Sequence, residues 1–352
     1  MGVVMTKKIV DAVFEGGGVK GIGLVGALSV IEENGYGWGH VAGTSAGAIV
    51  ASLIAAGYTA SELKDVVGTL DYKKFKQITT MDRVPFIGPL LNLFIKRGIY
   101  SGDYLETWIT QCLAAKGIHT FGQLVIPGEQ DPRYRYKLQV ITSDISNQYM
   151  VVLPHGAKRY GINPDDMPVA QAVRMSMSIP FFFEAVKQKD TYFVDGGILS
   201  NFPVWLFDSA GIPAWPTFGF KFIEPEYGQP NKTTNPYDMA KAIFGTMMEA
   251  HDKMHVENED FLRTIAIPTL GVQATDFNLS GQQRDALFQS GRQAAQEFLK
   301  TWDFQAYIRQ YRMQRNPDYI IKVNKLKKDM VGGEQATATT PVNQDPAVFS
   351  TH

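Results

Sequence analysis

Residues 43–47 read Gly-Thr-Ser-Ala-Gly, a G-x-S-x-G pattern that could carry a nucleophile. In such an elbow a sharp turn between strand and helix strains the serine backbone, and Gly43 and Gly47 remove side chains that would clash there. Ser45 would also begin a helix, whose free amides and dipole favour negative charge. The pattern therefore favours Ser45 as a nucleophile, and the alternative is an ordinary turn between a strand and a helix.

A serine hydroxyl needs a base to take its proton. The order along the chain permits an α/β-hydrolase triad of Ser45 with Asp195 and either His251 or His255. Asp195 follows an apolar strand and precedes two glycines, so its carboxylate would be open at the strand's C-terminal end, where parallel sheets bind ligands. Taken alone, Asp-Gly-Gly is also a common turn sequence.

The glycine-rich segment 16–21, Gly-Gly-Gly-Val-Lys-Gly, follows the first predicted strand and allows three interpretations. A dinucleotide site would need an acidic residue at the end of the second strand, and none lies between Asn34 and Ser45. An oxyanion hole needs bare backbone N–H groups beside the nucleophile. Because neighbouring strands lie only about 4.8 Å apart, the turns at the ends of two adjacent strands can meet at one reacting carbon. We favour the oxyanion hole; the dinucleotide site and a plain packing turn are the alternatives.

The elements that must position these segments alternate between strand and helix. The opening strand, helix and strand predict a parallel sheet with helices on its faces. Apolar runs predict strands at 9–14, 40–42, 136–142, 149–153, 191–194, 217–222 and 263–267. Periodic apolar residues predict helices at 22–33, 48–56, 101–115, 236–256 and 282–298.

The amino-acid composition excludes several classes of protein. Of the 352 residues 45% are hydrophobic, enough to bury a sizeable core. The 34 basic and 35 acidic residues nearly cancel, which excludes a general nucleic-acid binder. One cysteine, Cys112, excludes disulfides within the chain and a cysteine-rich zinc site. No apolar run reaches the roughly 18 residues of a membrane span and we find no signal peptide, so a cytoplasmic location is expected, with export lacking a cleavable signal left open.

Together the three segments resemble the patatin-like phospholipases. Residues 15–21 are similar to that family's D-G-G-G-x-R/K-G oxyanion motif, residues 43–47 to its G-T-S-x-G, and residues 195–197 to its D-G-G/A. The stretch 172–180 resembles the family's serine-rich helix, and residues 201–203 its N-x-P segment. The resemblance extends from the first strand to about residue 300.

Two residues depart from the family's pattern. Glu15 replaces the usual Asp, which should matter little if the backbone supplies the hydrogen-bond donors. Lys20 stands where Arg is common and keeps the charge, but it loses the forked hydrogen bonding of a guanidinium. Lys20 would either add positive charge to the site or hold the glycine-rich loop.

The resemblance implies a three-layer α/β/α fold with a central, mostly parallel sheet, and a Ser–Asp dyad that needs no histidine, metal or cofactor. Asp195 would accept the proton of Ser45, and partial burial would raise its pKa and make it a better base. The implied site comprises the dyad Ser45 and Asp195, the oxyanion residues Gly16, Gly17, Gly18 and Lys20, the elbow glycines Gly43 and Gly47, and the aspartate-loop glycines Gly196 and Gly197.

The function implied is hydrolysis of fatty-acyl esters of phospholipids or lysophospholipids, peripherally at a membrane or micelle surface, with no nucleic-acid partner. The alternative is a lipid-binding or regulatory module with little turnover. We expect an acyl hydrolase domain over 8–303, a helical and basic extension over 304–330, and a disordered tail over 331–352. The oligomeric state is not predicted.

Three further features allow two interpretations each. His251 and His255 lie one helical turn apart and could bind zinc, although packing or surface histidines are favoured. The apolar stretch 84–95 could be an acyl-chain wall or an interfacial lid, with core packing favoured. Arg174 could bind a headgroup phosphate or form a structural ion pair.

Overall fold

The computed structural model describes residues 8–68, 70, 98–209, 211–224, 233–234, 238–239, 242–243, 245–247, 260, 262–274 and 276–309. Its strands in these ranges are β1 Lys8–Phe14, β2 Tyr36–Thr44, β3 Gly98–Tyr100, β4 Leu138–Asp144, β5 Tyr149–Leu153, β6 Phe181–Phe183, β7 Val186–Gln188, β8 Thr191–Asp195, β9 Thr217–Ile223 and β10 Thr264–Pro268. Its α-helices are α1 Gly21–Glu33, α2 Ala46–Ala55, α3 Ala60–Gly68, α4 Asp103–Ala115, α5 Val169–Ser176, α6 Gly281–Thr301 and α7 Phe304–Tyr307.

The central sheet has the strand order β10-β9-β1-β2-β4-β8-β7, and β5 also pairs with β4. The pairs from β10 to β4 are parallel, whereas β5 and β8 are antiparallel to β4, and β7 is antiparallel to β8. Strands β3 and β6 form a separate parallel pair. The predicted α/β class with a central, mostly parallel sheet flanked by helices is therefore confirmed.

Both faces of the sheet are covered by apolar side chains. In β1, Ala12 and Phe14 contribute to the larger of two buried clusters, whereas Val13 between them belongs to the smaller one. This alternation arises because successive side chains of a strand point to opposite faces. Helix α1 packs against α6 at backbone distance, since a Cβ at Gly26 would lie 2.0 Å from the carbonyl oxygen of Phe288.

Several boundaries differ from the sequence prediction. Strand β2 begins at Tyr36 rather than at residue 40, because Tyr36, Gly37 and Trp38 already pair with the first three residues of β1. The three-residue strands β3, β6 and β7 were not predicted, since segments so short carry no periodic pattern. The apolar stretch 84–95, most of the predicted helix 236–256 with its two histidines, and residues 310–352 of the predicted extension and tail lie outside the described residues.

A buried His–Asp pair links β1 to β2. The Asp11 Oδ1 atom accepts a hydrogen bond from the His40 backbone N–H at 2.7 Å and lies 3.2 Å from Nδ1 of the His40 ring. The ring's Nε2 lies 3.0 Å from the carbonyl oxygen of Tyr134, so both ring nitrogens face acceptors. Burial lowers the pKa of His40, but the hydrogen bond and charge of Asp11 outweigh it and leave that pKa raised.

This pair predicts a pH-dependent contribution to stability. Because the folded-state pKa of His40 lies above its unfolded value, the contribution should be complete below about pH 6.5 and should fall as pH rises through the folded pKa. Thermal unfolding of the wild type and of His40→Gln should show a difference in Tm that shrinks from pH 6 to pH 9. A difference that is constant over this range would contradict a charged His40.

Candidate active site

Ser45 occupies a strained turn between β2 and α2. Its backbone has φ 53° and ψ −124°, in the left-handed half of conformational space that residues with a side chain rarely adopt. A Cβ at Gly43 would lie 2.3 Å from the backbone of Gly47, and one at Gly47 would lie 2.2 Å from the carbonyl oxygen of Phe14. The two glycines are therefore a steric requirement of this elbow.

A hydrogen bond to a buried serine side chain holds the strained turn. The Ser45 backbone N–H donates to Oγ of Ser176 at 2.8 Å, and Ser176 is fully buried at the C-terminal end of α5. Sequence analysis placed Ser176 in the serine-rich segment without giving it a role. The structure shows that this segment fixes the backbone of the predicted nucleophile.

Strands β2 and β8 bring Ser45 and Asp195 together by an arrangement that differs from the predicted one. Strand β5 occupies one edge of β4, so β2 and β8 share the other edge. Thr44 pairs with Ile141 of β4 and Asp195 pairs with the next residue, Thr142. The two strands run towards each other and meet end to end. Asp195 therefore reaches the site on an antiparallel strand, and the parallel-sheet rule used in the sequence analysis does not apply to it.

The Asp195 carboxylate is fully buried and only half satisfied. Its Oδ1 accepts a hydrogen bond from the Gly197 N–H at 2.8 Å, while its backbone N–H donates to the Ser178 carbonyl oxygen at 2.9 Å. Its Oδ2 has no hydrogen-bond partner within the described part of the chain. Gly196 lets the turn pass close to β4, since a Cβ there would lie 2.4 Å from the Ile141 carbonyl oxygen.

Burial makes Asp195 a group that titrates near neutral pH. Removal from water raises the pKa of Asp195 to about 7, and the Gly197 N–H and the neighbouring Ser45 hydroxyl oppose this shift only in part. A carboxylate with such a pKa is a stronger base than an exposed one and is still ionised in a large fraction of molecules at pH 7. The geometry and the charge of this site both suit proton transfer from a hydroxyl.

Among the described residues, the three glycines predicted for the oxyanion hole differ in whether their backbone N–H groups have acceptors. The N–H of Gly16 donates to the Asn201 carbonyl oxygen at 3.2 Å, so it is already engaged. Among the described residues, the N–H groups of Gly17 and Gly18 have no hydrogen-bond acceptor. Gly18 has φ +56° and lies against Ala274, where a Cβ would come within 2.0 Å of the carbonyl oxygen. Gly16 instead lies directly beside Ser45, where a Cβ would approach the serine Cβ to 3.1 Å.

Lys20 holds the loop rather than charging the site. Its Nζ donates to Oε1 of Glu224 at 2.9 Å and lies 5.1 Å from the centre of the Phe222 ring. Glu224 in turn accepts a hydrogen bond from the Thr269 hydroxyl at 2.6 Å. The second of the two roles proposed from sequence therefore fits the structure.

Glu15 anchors the start of the same loop by a buried ion pair. Its Oε1 accepts a hydrogen bond from Lys221 Nζ at 2.7 Å, and its Oε2 accepts one from the backbone N–H of Phe222. Both charged side chains are more than nine-tenths buried. Sequence analysis expected Glu15 to matter little and missed Lys221. A lysine in the middle of the apolar strand Thr217–Ile223 was the available signal.

An apolar pocket lies beside Ser45, because Met177, whose sulfur accepts a hydrogen bond from the Ser45 hydroxyl, forms part of its wall. Gly18 of the loop, Ala46 after the nucleophile, and Met177 all line it. The rest of its wall is formed by Val19, Gly21, Ile49, Val50, Val67, Leu70, Ile179, Phe183 and Phe277. A cavity without a charged lining residue suits a hydrocarbon chain.

Two further candidates from the sequence are Arg174 and a metal site at the two histidines. Arg174 is buried and donates to the Ser178 hydroxyl at 2.5 Å and to the carbonyl oxygens of Ser101 at 2.5 Å and Glu184 at 2.9 Å. All three of these partners, which lie among the described residues, are neutral; the headgroup and ion-pair hypotheses stay predictions. Within the described residues no group of three His, Cys, Asp or Glu side chains could hold a metal ion. His251 and His255 lie outside those residues.

Comparison with known proteins agrees with this geometry. The family model described as patatin-like phospholipase matches residues 12–208, which include the elbow, the glycine-rich loop and Asp195. The chain belongs to the patatin-like phospholipase family. None of the helices in the described residues has the length and hydropathy to cross a membrane.

Similar proteins occur in bacteria and viruses. The uncharacterized protein YqhO of Bacillus subtilis is 42% identical over 84% of this chain and 99% of its own length. The probable lipid hydrolase 463L of invertebrate iridescent virus 6 is 25% identical over 54% of this chain and 61% of its own length. The crystal structure of VipD from Legionella pneumophila shares the fold at a TM-score of 0.50 and 19% identity, over 84% of this chain and 67% of VipD.

The buried ion pair of Glu15 and Lys221 predicts how the wild type and two variants should differ in their free energy of unfolding. Lys221→Met leaves the Glu15 carboxylate buried without its charged partner, which typically costs about 3–5 kcal/mol. The double variant Glu15→Gln, Lys221→Met removes both charges and should recover most of the lost stability. Denaturant unfolding of the wild type and both variants measures this, and equal stabilities of the two variants would show that the charges are not coupled.

Proposed function

We propose that this protein is a lipid acyl hydrolase that cleaves fatty-acyl esters of phospholipids or lysophospholipids through a Ser45–Asp195 dyad. The observation that carries the proposal is the meeting of a strained serine and a buried, half-satisfied aspartate at the mouth of an apolar cavity. Membership of the patatin-like phospholipase family supports the same class of reaction.

In the first half of the reaction, Oγ of Ser45 attacks the ester carbonyl carbon while its proton passes to Oδ2 of Asp195. The carbonyl oxygen becomes an oxyanion and binds to the N–H groups of Gly17 and Gly18, whose lack of an acceptor among the described residues supports this role. The tetrahedral intermediate collapses, the bond to the alcohol oxygen breaks, and that oxygen takes the proton back from Asp195. The product alcohol leaves and the acyl group stays on Ser45.

The second half releases the fatty acid. A water molecule attacks the acyl-serine carbonyl and gives a proton to Asp195, and a second oxyanion forms at the same two amides. When this intermediate collapses, Asp195 returns the proton to Ser45 and the fatty acid leaves. The dyad is the simplest assignment because, among the described residues, no histidine hydrogen-bonds to Ser45 or Asp195.

The cavity supports a long acyl chain as the bound part of the substrate. Its apolar wall includes Ala46, which directly follows the proposed nucleophile, and Gly18 of the proposed oxyanion loop. Such substrates are held in membranes and micelles, so we propose that the protein works peripherally at these surfaces. The name of the viral relative, a probable lipid hydrolase, points to the same substrate class.

Substitution of the dyad tests the reaction. Ser45→Ala should abolish hydrolysis of phospholipid and lysophospholipid esters, and Asp195→Asn should reduce kcat by roughly 10⁴, as the same substitution does in a Ser–His–Asp triad. Ser52→Ala is a matched control, since Ser52 is also fully buried in the following helix but bonds only to its own turn. Product release is measured by mass spectrometry of lipid extracts.

Retained turnover in Ser45→Ala would exclude this nucleophile. A wild-type protein that binds lysophospholipid but neither hydrolyses it nor reacts at Ser45 with a fluorophosphonate would instead be a lipid-binding module. His251→Ala with His255→Ala should leave most activity, and a large loss there would favour a triad or a metal site.

The raised pKa of Asp195 predicts the pH profile. The base must be ionised, so kcat/KM should rise with pH and reach half of its plateau near pH 7. Initial rates with a soluble ester between pH 5 and pH 9 measure this midpoint. A plateau already reached at pH 5 would mean that a group other than a desolvated carboxylate controls the reaction.

A further inference from the structure

Met177 contacts both the nucleophile and the acyl cavity. The Ser45 hydroxyl donates a hydrogen bond to the Met177 sulfur, with 3.4 Å between Oγ and Sδ. The same side chain, only 6% exposed, forms part of the cavity wall next to Ala46. One thioether therefore links the reacting hydroxyl to the space that a fatty-acyl chain would fill.

This contact gives the Ser45 hydroxyl an acceptor other than its proposed base. A thioether sulfur is a weak acceptor, whereas a carboxylate oxygen is a strong one. The Ser45 hydroxyl lies near enough to Asp195 to lower the pKa of that carboxyl, yet its hydrogen bond in this structure is with the Met177 sulfur, and Oδ2 of Asp195 has no hydrogen-bond partner in the described part of the chain. Before proton transfer can occur, the hydroxyl has to exchange the sulfur for Oδ2.

We propose that Met177 couples binding of a long acyl chain to activation of Ser45. A chain that enters the cavity displaces the Met177 side chain, the sulfur leaves the hydroxyl, and Oγ turns to Oδ2 of Asp195. Methionine suits this role because its unbranched side chain has three rotatable bonds and repacks readily. The consequence is selectivity for esters with chains that reach Met177, over short esters that leave it in place. This inference rests on the proposed function.

Alkyl fluorophosphonates with an ethyl or a dodecyl chain provide the test. Each reacts by attack of Oγ on phosphorus with loss of fluoride, while Asp195 takes the serine proton. Met177→Leu keeps an apolar side chain of similar size but removes the sulfur acceptor. Met175→Leu is the matched control, because Met175 is equally buried two residues away and does not line the cavity.

The wild type should react much faster with the dodecyl probe than with the ethyl probe. In Met177→Leu the ethyl probe should react several-fold faster than in the wild type, and the ratio of dodecyl to ethyl rates should fall several-fold. Met175→Leu should behave as the wild type. Rate constants come from intact-protein mass spectrometry, and Met177→Ile is a second variant without the sulfur if the leucine lowers Tm.

Two outcomes separate this inference from the function on which it rests. If Ser45 reacts but the chain-length ratio is unchanged in Met177→Leu, or changes equally in Met175→Leu, then the coupling is wrong and the hydrolase assignment stands. If the wild type does not react at Ser45 with either probe, then both the proposed function and this inference are overturned.

Discussion

The site depends on two strands that meet end to end along one edge of β4. Strand β2 stops at Thr44, opposite Ile141, and β8 arrives from the other direction and stops at Asp195, opposite Thr142. The spacing of the β4 backbone thus sets the distance between the elbow and the aspartate turn. No long or flexible loop separates either side chain from its strand, because each residue lies at the point where its strand ends.

This arrangement lowers the free energy of unfolding, and interactions in the rest of the fold have to offset that loss. Ser45 is held in a strained conformation, and Asp195 has a buried carboxylate oxygen that no group in the described ranges hydrogen-bonds. Apolar clusters bury both faces of the sheet, and the burial of these side chains stabilises the fold and offsets the cost of the site.

The local parts of the site could be predicted from sequence, and the long-range parts could not. Around Ser45 and at Gly17 and Gly18 the backbone passes so close to neighbouring atoms that a Cβ would clash with them. Only glycine fits there, so the spacing of the glycines in the sequence indicates the local geometry. The direction of β8 has no such local signature, and it was inferred wrongly. Lys221 pairs with a residue more than 200 positions earlier, and only the folded chain shows that contact.

The support for the glycine-rich loop comes from far along the chain. Phe222, Glu224 and Ala274 all contact it, and α1, which begins where the loop ends, packs on α6 through Gly26 and Gly291. The family model stops at residue 208, before any of these C-terminal contributors. A fragment trimmed at that boundary would retain the elbow and Asp195 yet lack the residues that support the glycine-rich loop. The smallest autonomous unit of this protein therefore extends at least through α6.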